Sequence, residues 1–123
     1  MDHRKRTGQI GENETAAELQ RRGYRLLARN YHCRGGEADL VAEHGGDLVF
    51  VEVKTRAELR HGLPRDAVDQ VKQRRLVLAA EHFVHRFELD EMPVRFDVVE
   101  VVLLRGDVAA VEVIPDAFVP EPD

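Results

Sequence analysis

The chain has no serine, no tryptophan and a single cysteine, Cys33. Without serine, the Ser-His-Asp route and every other serine-nucleophile mechanism are excluded. One cysteine permits no internal disulfide, and a reduced, cytoplasmic setting is the expectation that follows. Long apolar runs are also missing: the most extended are stretches such as Val101-Val102-Leu103-Leu104, far below the ~20 residues that span a bilayer. No membrane partner is therefore expected. The opening stretch MDHRKRTGQIGENE lacks the apolar core of a secretory signal. There is no G-x-x-x-x-G-K-[ST] phosphate loop, no dinucleotide fingerprint and no H-E-x-x-H among the six histidines. His82 and His85 fall one turn apart on a predicted helix with no second ligand pair, so they read as surface or partly packed residues. With aromatics at 6%, base stacking on an aromatic platform is not expected.

What is present describes a folded chain. Its 123 residues are 43% hydrophobic and 33% charged, which suits one compact domain with its own core. Residues 1–7 and 119–123 are expected to be mobile ends. The net charge of −5 is unevenly spread. Residues 1–80 carry 15 Lys/Arg against 12 Asp/Glu, and residues 81–123 carry 3 against 11. A basic face in the first part can bind phosphates despite the acidic total.

Periodicity and turn residues predict seven elements. A helix runs from about Gly11 to Arg22 and stops at Gly23. Strands cover Tyr24–Cys33, Glu37–Glu43 and Leu48–Arg56, with Gly45-Gly46 as a two-residue hairpin loop between the second and third. Residues 57–64 form a loop. A long helix follows from about Arg65 to Phe87, with Asp66 in its first turn. Two more strands, Val94–Leu104 and Val108–Ile114, flank an Arg-Gly-Asp turn. The order αβββαββ is that of an α/β or α+β sheet flanked by helices.

The most informative stretch is Leu48-Val49-Phe50-Val51-Glu52-Val53-Lys54. Its apolar density marks a central, buried strand, yet Glu52 and Lys54 interrupt it two positions apart and so share a face. The glycine loop pairs Asp39 with Glu52 and Glu37 with Lys54. Directly opposed side chains have Cβ atoms ~5 Å apart, so two carboxylates there repel unless a cation lies between them. Mg²⁺ or Mn²⁺, with the Val53 carbonyl and water completing the shell, reverses the sign of that interaction. Glu12 leads a helical stripe with Ala16, Leu19 and Gly23. Lys72 leads another with Leu76, Ala80, Phe83 and Phe87. Glu12, Asp39, Glu52, Lys54 and Lys72 would thus meet at one edge of the sheet. Such a set supports phosphodiester hydrolysis, with Lys54 orienting a water or neutralising developing charge and Lys72-Gln73 supporting the phosphate. Glu12 would take a water-bridged or second metal position.

These residues resemble the YraN family of bacterial endonuclease-like proteins. The matching pieces are Gly11-Glu12, Gly23-Tyr24, Arg29-Asn30-Tyr31, Gly36-Glu37-Ala38-Asp39-Leu40-Val41, Val49 to Arg56, Ala67-Val68, Lys72-Gln73-Arg74-Arg75-Leu76 and Arg95-Phe96-Asp97-Val98. Asp39 followed by Glu52-Val53-Lys54 is similar to the PD-(D/E)XK nuclease pattern. The resemblance implies a restriction-endonuclease-like fold, a central mixed sheet, and the metal ligands and lysine named above. It also implies similarity to archaeal Holliday-junction resolvases and, by analogy, a possible homodimer. With no aromatic platform, recognition of backbone and shape is expected, hence structured or branched DNA as substrate. Arg34, Gly35 and Gly36 are expected at the mouth of the site, the glycines allowing close approach of a phosphate backbone. Arg56, Gln73, Arg74 and Arg75 are expected phosphate contacts. Asp97 is read as a structural hydrogen-bonding group and Cys33 as a half-buried small residue. The alternatives to an endonuclease are a non-catalytic nucleic-acid-binding module and a protein-interaction domain that uses the acidic 81–123 region.

Overall fold

Turn chemistry sets most of the strand order. The structure, a computed structural model, describes residues 3–57 and 69–120. Its elements are α1 (His3–Arg21), β1 (Arg25–Cys33), β2 (Gly36–His44), β3 (Asp47–Arg56), α2 (Gln70–Phe87), β4 (Val94–Leu104) and β5 (Asp107–Ile114). The expected order αβββαββ holds, and the fold is a restriction-endonuclease-like α/β architecture.

The strands form one sheet in the order β1-β2-β3-β4-β5. Tight turns make β1–β2, β2–β3 and β4–β5 antiparallel. At Gly45-Gly46 both residues adopt positive φ, +58° and +86°, which side chains with a Cβ rarely tolerate. β3 and β4 run parallel, with α2 between them in the chain, because parallel neighbours require a long crossover. β3 is the middle strand, as its apolar run predicts, and Leu48 to Val51 are fully buried.

Each sheet face has its own core. Ala16 and Leu19 of α1 pack on Leu40, Ala42, Val49, Val51, Val99 and Val101. Leu76, Ala79, Ala80 and Phe83 of α2 pack on Val41, Leu48, Phe50 and Phe96 from the other side. The strands' period-two alternation sorts these residues onto opposite faces. Phe83 meets Phe50 edge-on, with centroids 5.7 Å apart, a geometry worth roughly 0.5–1.5 kcal/mol beyond burial. Gly36 lies under α2: a Cβ there would stand 2.7 Å from the Ala79 nitrogen and 2.9 Å from the Arg75 carbonyl oxygen.

Several boundaries depart from expectation. α1 extends back to His3, through the stretch read as a mobile start. α2 begins at Gln70 rather than near Arg65, because extended Asp69 caps it and accepts from the Lys72 N–H at 2.9 Å. Asp66, the Ala67-Val68 pair and the loop from 58 onward lie outside the described residues. Phe87, expected in the core stripe, is 47% exposed. It sits in the last turn of α2, against Phe83 and beneath the Arg86 guanidinium. Asp97 is fully buried, accepting from the Tyr24 hydroxyl (2.7 Å), Arg95 Nε (2.9 Å) and the Asp116 N–H (3.0 Å). Its structural reading holds. Among the described residues no helix is long and apolar enough to cross a membrane.

Candidate active site

The β2–β3 register is the one the glycine loop demands. Pairs run from His44–Asp47 to Leu40–Val51, and the next rung would set Asp39 opposite Glu52. The ladder ends before that rung. The Asp39 carboxylate instead takes the place of a backbone acceptor, receiving the Val53 N–H on Oδ2 at 2.7 Å. In an extended strand the N–H and C=O of one residue point to the same side, so the Val53 carbonyl also faces the Asp39 end of β2. Glu37 does not form the cross-strand pair with Lys54 expected of it. It lies 3.3 Å from Arg75 and 3.6 Å from His32.

Asp39 and Glu52 lie near enough to each other that the charge on one disfavours a charge on the other. Burial pushes the Glu52 carboxyl up to about 8, reinforced by the negative charge of Asp39 and opposed by Lys72. The Lys72 ammonium stands 3.7 Å from Glu52. Asp39 is also raised, first by burial, then by Glu12 and Glu37, while the Val53 N–H works the other way. Two carboxyls share a desolvated space and favour a bound proton.

Glu12 reaches the same region from α1 and contributes to raising Asp39. Its Oε1 accepts from Arg29 Nε and Nη2 and from Asn30 Nδ2, each at 3.1 Å. Arg29 also donates to Asn13. Lys54 has no ion-pair partner among the described residues. A cavity of about 960 Å³ opens here, lined by Lys5, Glu12, Arg29, Asp39, Val53, Lys54 and Lys72 among others.

The residues expected to touch phosphates are less concentrated. None of Arg34, Gly35, Gly36, Arg56, Gln73, Arg74 and Arg75 lines this cavity. Gly36 lacks a Cβ to admit α2 rather than a phosphate backbone. Arg56 is mostly buried and lies 3.4 Å from Glu100. Arg75 is held by Glu37. Arg34 and Gly35 form the β1–β2 turn on the α2 side, where the Leu78 methyl lies 3.5 Å from a Cβ built on Gly35. Arg29 and Asn30 were given no role by sequence reasoning. The available signal was an asparagine inside an apolar strand, where it is disfavoured.

The donor set fits a hard divalent cation in part. Among the described residues no three acidic, histidine or cysteine side chains gather as a ready metal cage. The Asp39–Glu52 pair offers two carboxylates whose mutual repulsion a divalent ion would reverse.

A model of the uncharacterised protein family UPF0102 matches residues 11–101. The UPF0102 protein of Caldicellulosiruptor saccharolyticus is 40% identical over 117 residues, covering 94% of this chain and 99% of that protein. The corresponding protein of Geobacter sulfurreducens is 44% identical over 116 residues, covering 94% and 91%. That of Moorella thermoacetica is 47% identical over 116 residues, covering 94% and 97%.

Proposed function

The chain belongs to the uncharacterised protein family UPF0102, the YraN family, and on that basis we propose that it is a metal-dependent endonuclease acting on structured or branched DNA. The observation that carries this reading is the half-buried Asp39–Glu52 pair, with Asp39 fixed by the Val53 N–H, and beside it Lys54, which has no ion-pair partner among the described residues. Asp39, Glu52 and the Val53 carbonyl would hold Mg²⁺ or Mn²⁺, with Glu12 bridged through water. When bound, the ion would polarise a phosphate oxygen and make a nearby water more acidic.

The chain's own groups supply the rest. Asp39 and Glu52 would supply the carboxylate oxygens for the cation, giving up any proton that burial favours on them. The Val53 N–H holds Asp39 Oδ2 in place, so the other oxygen stays available. The Lys54 ammonium, uncommitted among the described residues, orients the attacking water or offsets charge developing on the phosphate. Lys72 tempers the negative charge of Glu52 at 3.7 Å. Lys5, Arg29, Lys54 and Lys72 give the cavity its cations, and among the described residues no aromatic lines it. Recognition is therefore by backbone charge and shape.

The test is cleavage of a panel of linear, flapped and four-way DNA with and without Mg²⁺ or Mn²⁺. Lys54→Ala should lose about 10²–10³-fold in rate and still bind Mn²⁺, whereas Asp39→Ala should lose both. Metal-independent binding with no cleavage of any substrate favours a non-catalytic nucleic-acid-binding module. Failure to bind any nucleic acid points instead to an interaction domain.

A further inference from the structure

β1 carries a backbone feature that a regular strand would not have. Asn30 adopts φ +51°, in the left-handed region, within the span Arg25–Cys33. Successive residues of an extended strand point to opposite faces. Here Ala28 and Tyr31, three apart, both pack into the α2-side core, so the strand changes face between them. Arg29 and Asn30, though adjacent, consequently both reach Glu12 on α1. β2 changes face at the same level: Ala38 and Val41 both lie in the α2-side core. β1 and β2 pair Arg29 with Leu40 and Tyr31 with Ala38, which leaves Asn30 level with Asp39.

All the hydrogen bonds that Glu12 receives in the described residues fall on Oε1, none on Oε2. Glu12 and Asp39 line the same cavity. We propose that Arg29 and Asn30 are positioning residues for the metal site: they hold one oxygen of Glu12 so that the other serves a cation, or its water, beside Asp39. This rests on the metal reading above. The left-handed residue is the device that favours it, since consecutive side chains of a regular strand leave on opposite faces. Asparagine tolerates that conformation better than other non-glycine residues and brings an amide donor, which glycine lacks. Local strain held beside a polar cluster is the pattern expected where backbone geometry serves a site.

The experiment is Mn²⁺ titration by electron paramagnetic resonance, with urea denaturation of the same samples. Asn30→Gly keeps the left-handed backbone and removes only the donor. We expect its denaturation midpoint to equal or exceed wild type, while its Mn²⁺ dissociation constant rises about 10-fold, the worth of one hydrogen bond to a charged group. In a Glu12→Gln background, Asn30→Gly should have no further effect, because it acts through Glu12. Arg29→Gln, which leaves the strand backbone unaltered, should behave the same way and serves if Asn30→Gly is poorly folded. Unchanged Mn²⁺ affinity in these variants overturns the proposal, as do effects that add to that of Glu12→Gln. A wild type that binds no Mn²⁺ overturns the metal reading and this inference together.

Discussion

Gly11 sits in the middle of α1, where glycine is about 1 kcal/mol less favourable than alanine. Propensity alone therefore predicts that Gly11→Ala stabilises the protein by about that amount. The structure predicts the opposite sign. A Cβ on Gly11 would overlap Thr55 Oγ1 and stand 2.9 Å from Thr55 Cβ and 3.1 Å from Thr55 Cγ2. Rotating the threonine relieves the first contact but not the second, because its Cβ is fixed by the β3 backbone. α1 must then move off the sheet. Forcing a methyl into a packed contact costs about 1–3 kcal/mol. Set against the helix gain, a net loss of up to about 2 kcal/mol is expected. Urea denaturation should show a lower midpoint with an unchanged slope. Adding Thr55→Ala removes Oγ1 and Cγ2 but leaves the Cβ contact, so it should recover about half of the loss. Gly11 precedes Glu12, and Thr55 follows Lys54, so the displacement should also weaken Mn²⁺ binding. A Gly11→Ala protein more stable than wild type by about 1 kcal/mol would refute the close approach of helix to strand.

Three further outcomes follow from buried polar groups. Because folded Glu52 titrates near 8, against an ordinary 4.5, and Asp39 is also raised, the metal-free native state holds protons that the unfolded chain has released. Its stability should be fullest below about pH 4.5 and fall as pH rises to about 8, by at most about 1.4 kcal/mol per pH unit per proton. Urea midpoints measured in EDTA across that window check the slope, which Glu52→Gln should flatten. Mn²⁺ affinity should rise over the same interval, since the cation competes with protons. The Thr15 hydroxyl is fully buried without a hydrogen-bond partner among the described residues, so Thr15→Val should raise stability by about 1 kcal/mol; a comparable loss would mean that the hydroxyl is satisfied. Asp97→Ala leaves Arg95, Tyr24 and the Asp116 N–H without their shared acceptor and should cost about 3–5 kcal/mol by urea denaturation, whereas a loss below about 1 kcal/mol would contradict the network.

Local rules in the sequence determined the strand list, the αβββαββ order, the Gly45-Gly46 register and the shared face of Glu52 and Lys54. Each follows from a two-residue turn, a period of two or a period of 3.6, all of which act within a few residues. The same rules brought Asp39 beside Glu52, and Glu12 and Lys72 toward them. Tertiary packing decided what those rules do not contain. Asp39 leaves the ladder for the Val53 N–H because β1 and β2 change face together at Asn30 and Asp39. Gly36 and Gly11 are small because a helix and a strand meet closely at each, α2 over Gly36 and β3 under Gly11, which turn chemistry cannot foretell. Arg56 and Arg75, legible only as cations, found carboxylates from other strands. Such pairings join positions far apart in the chain, and they form only once the sheet has closed and two helices have covered its faces.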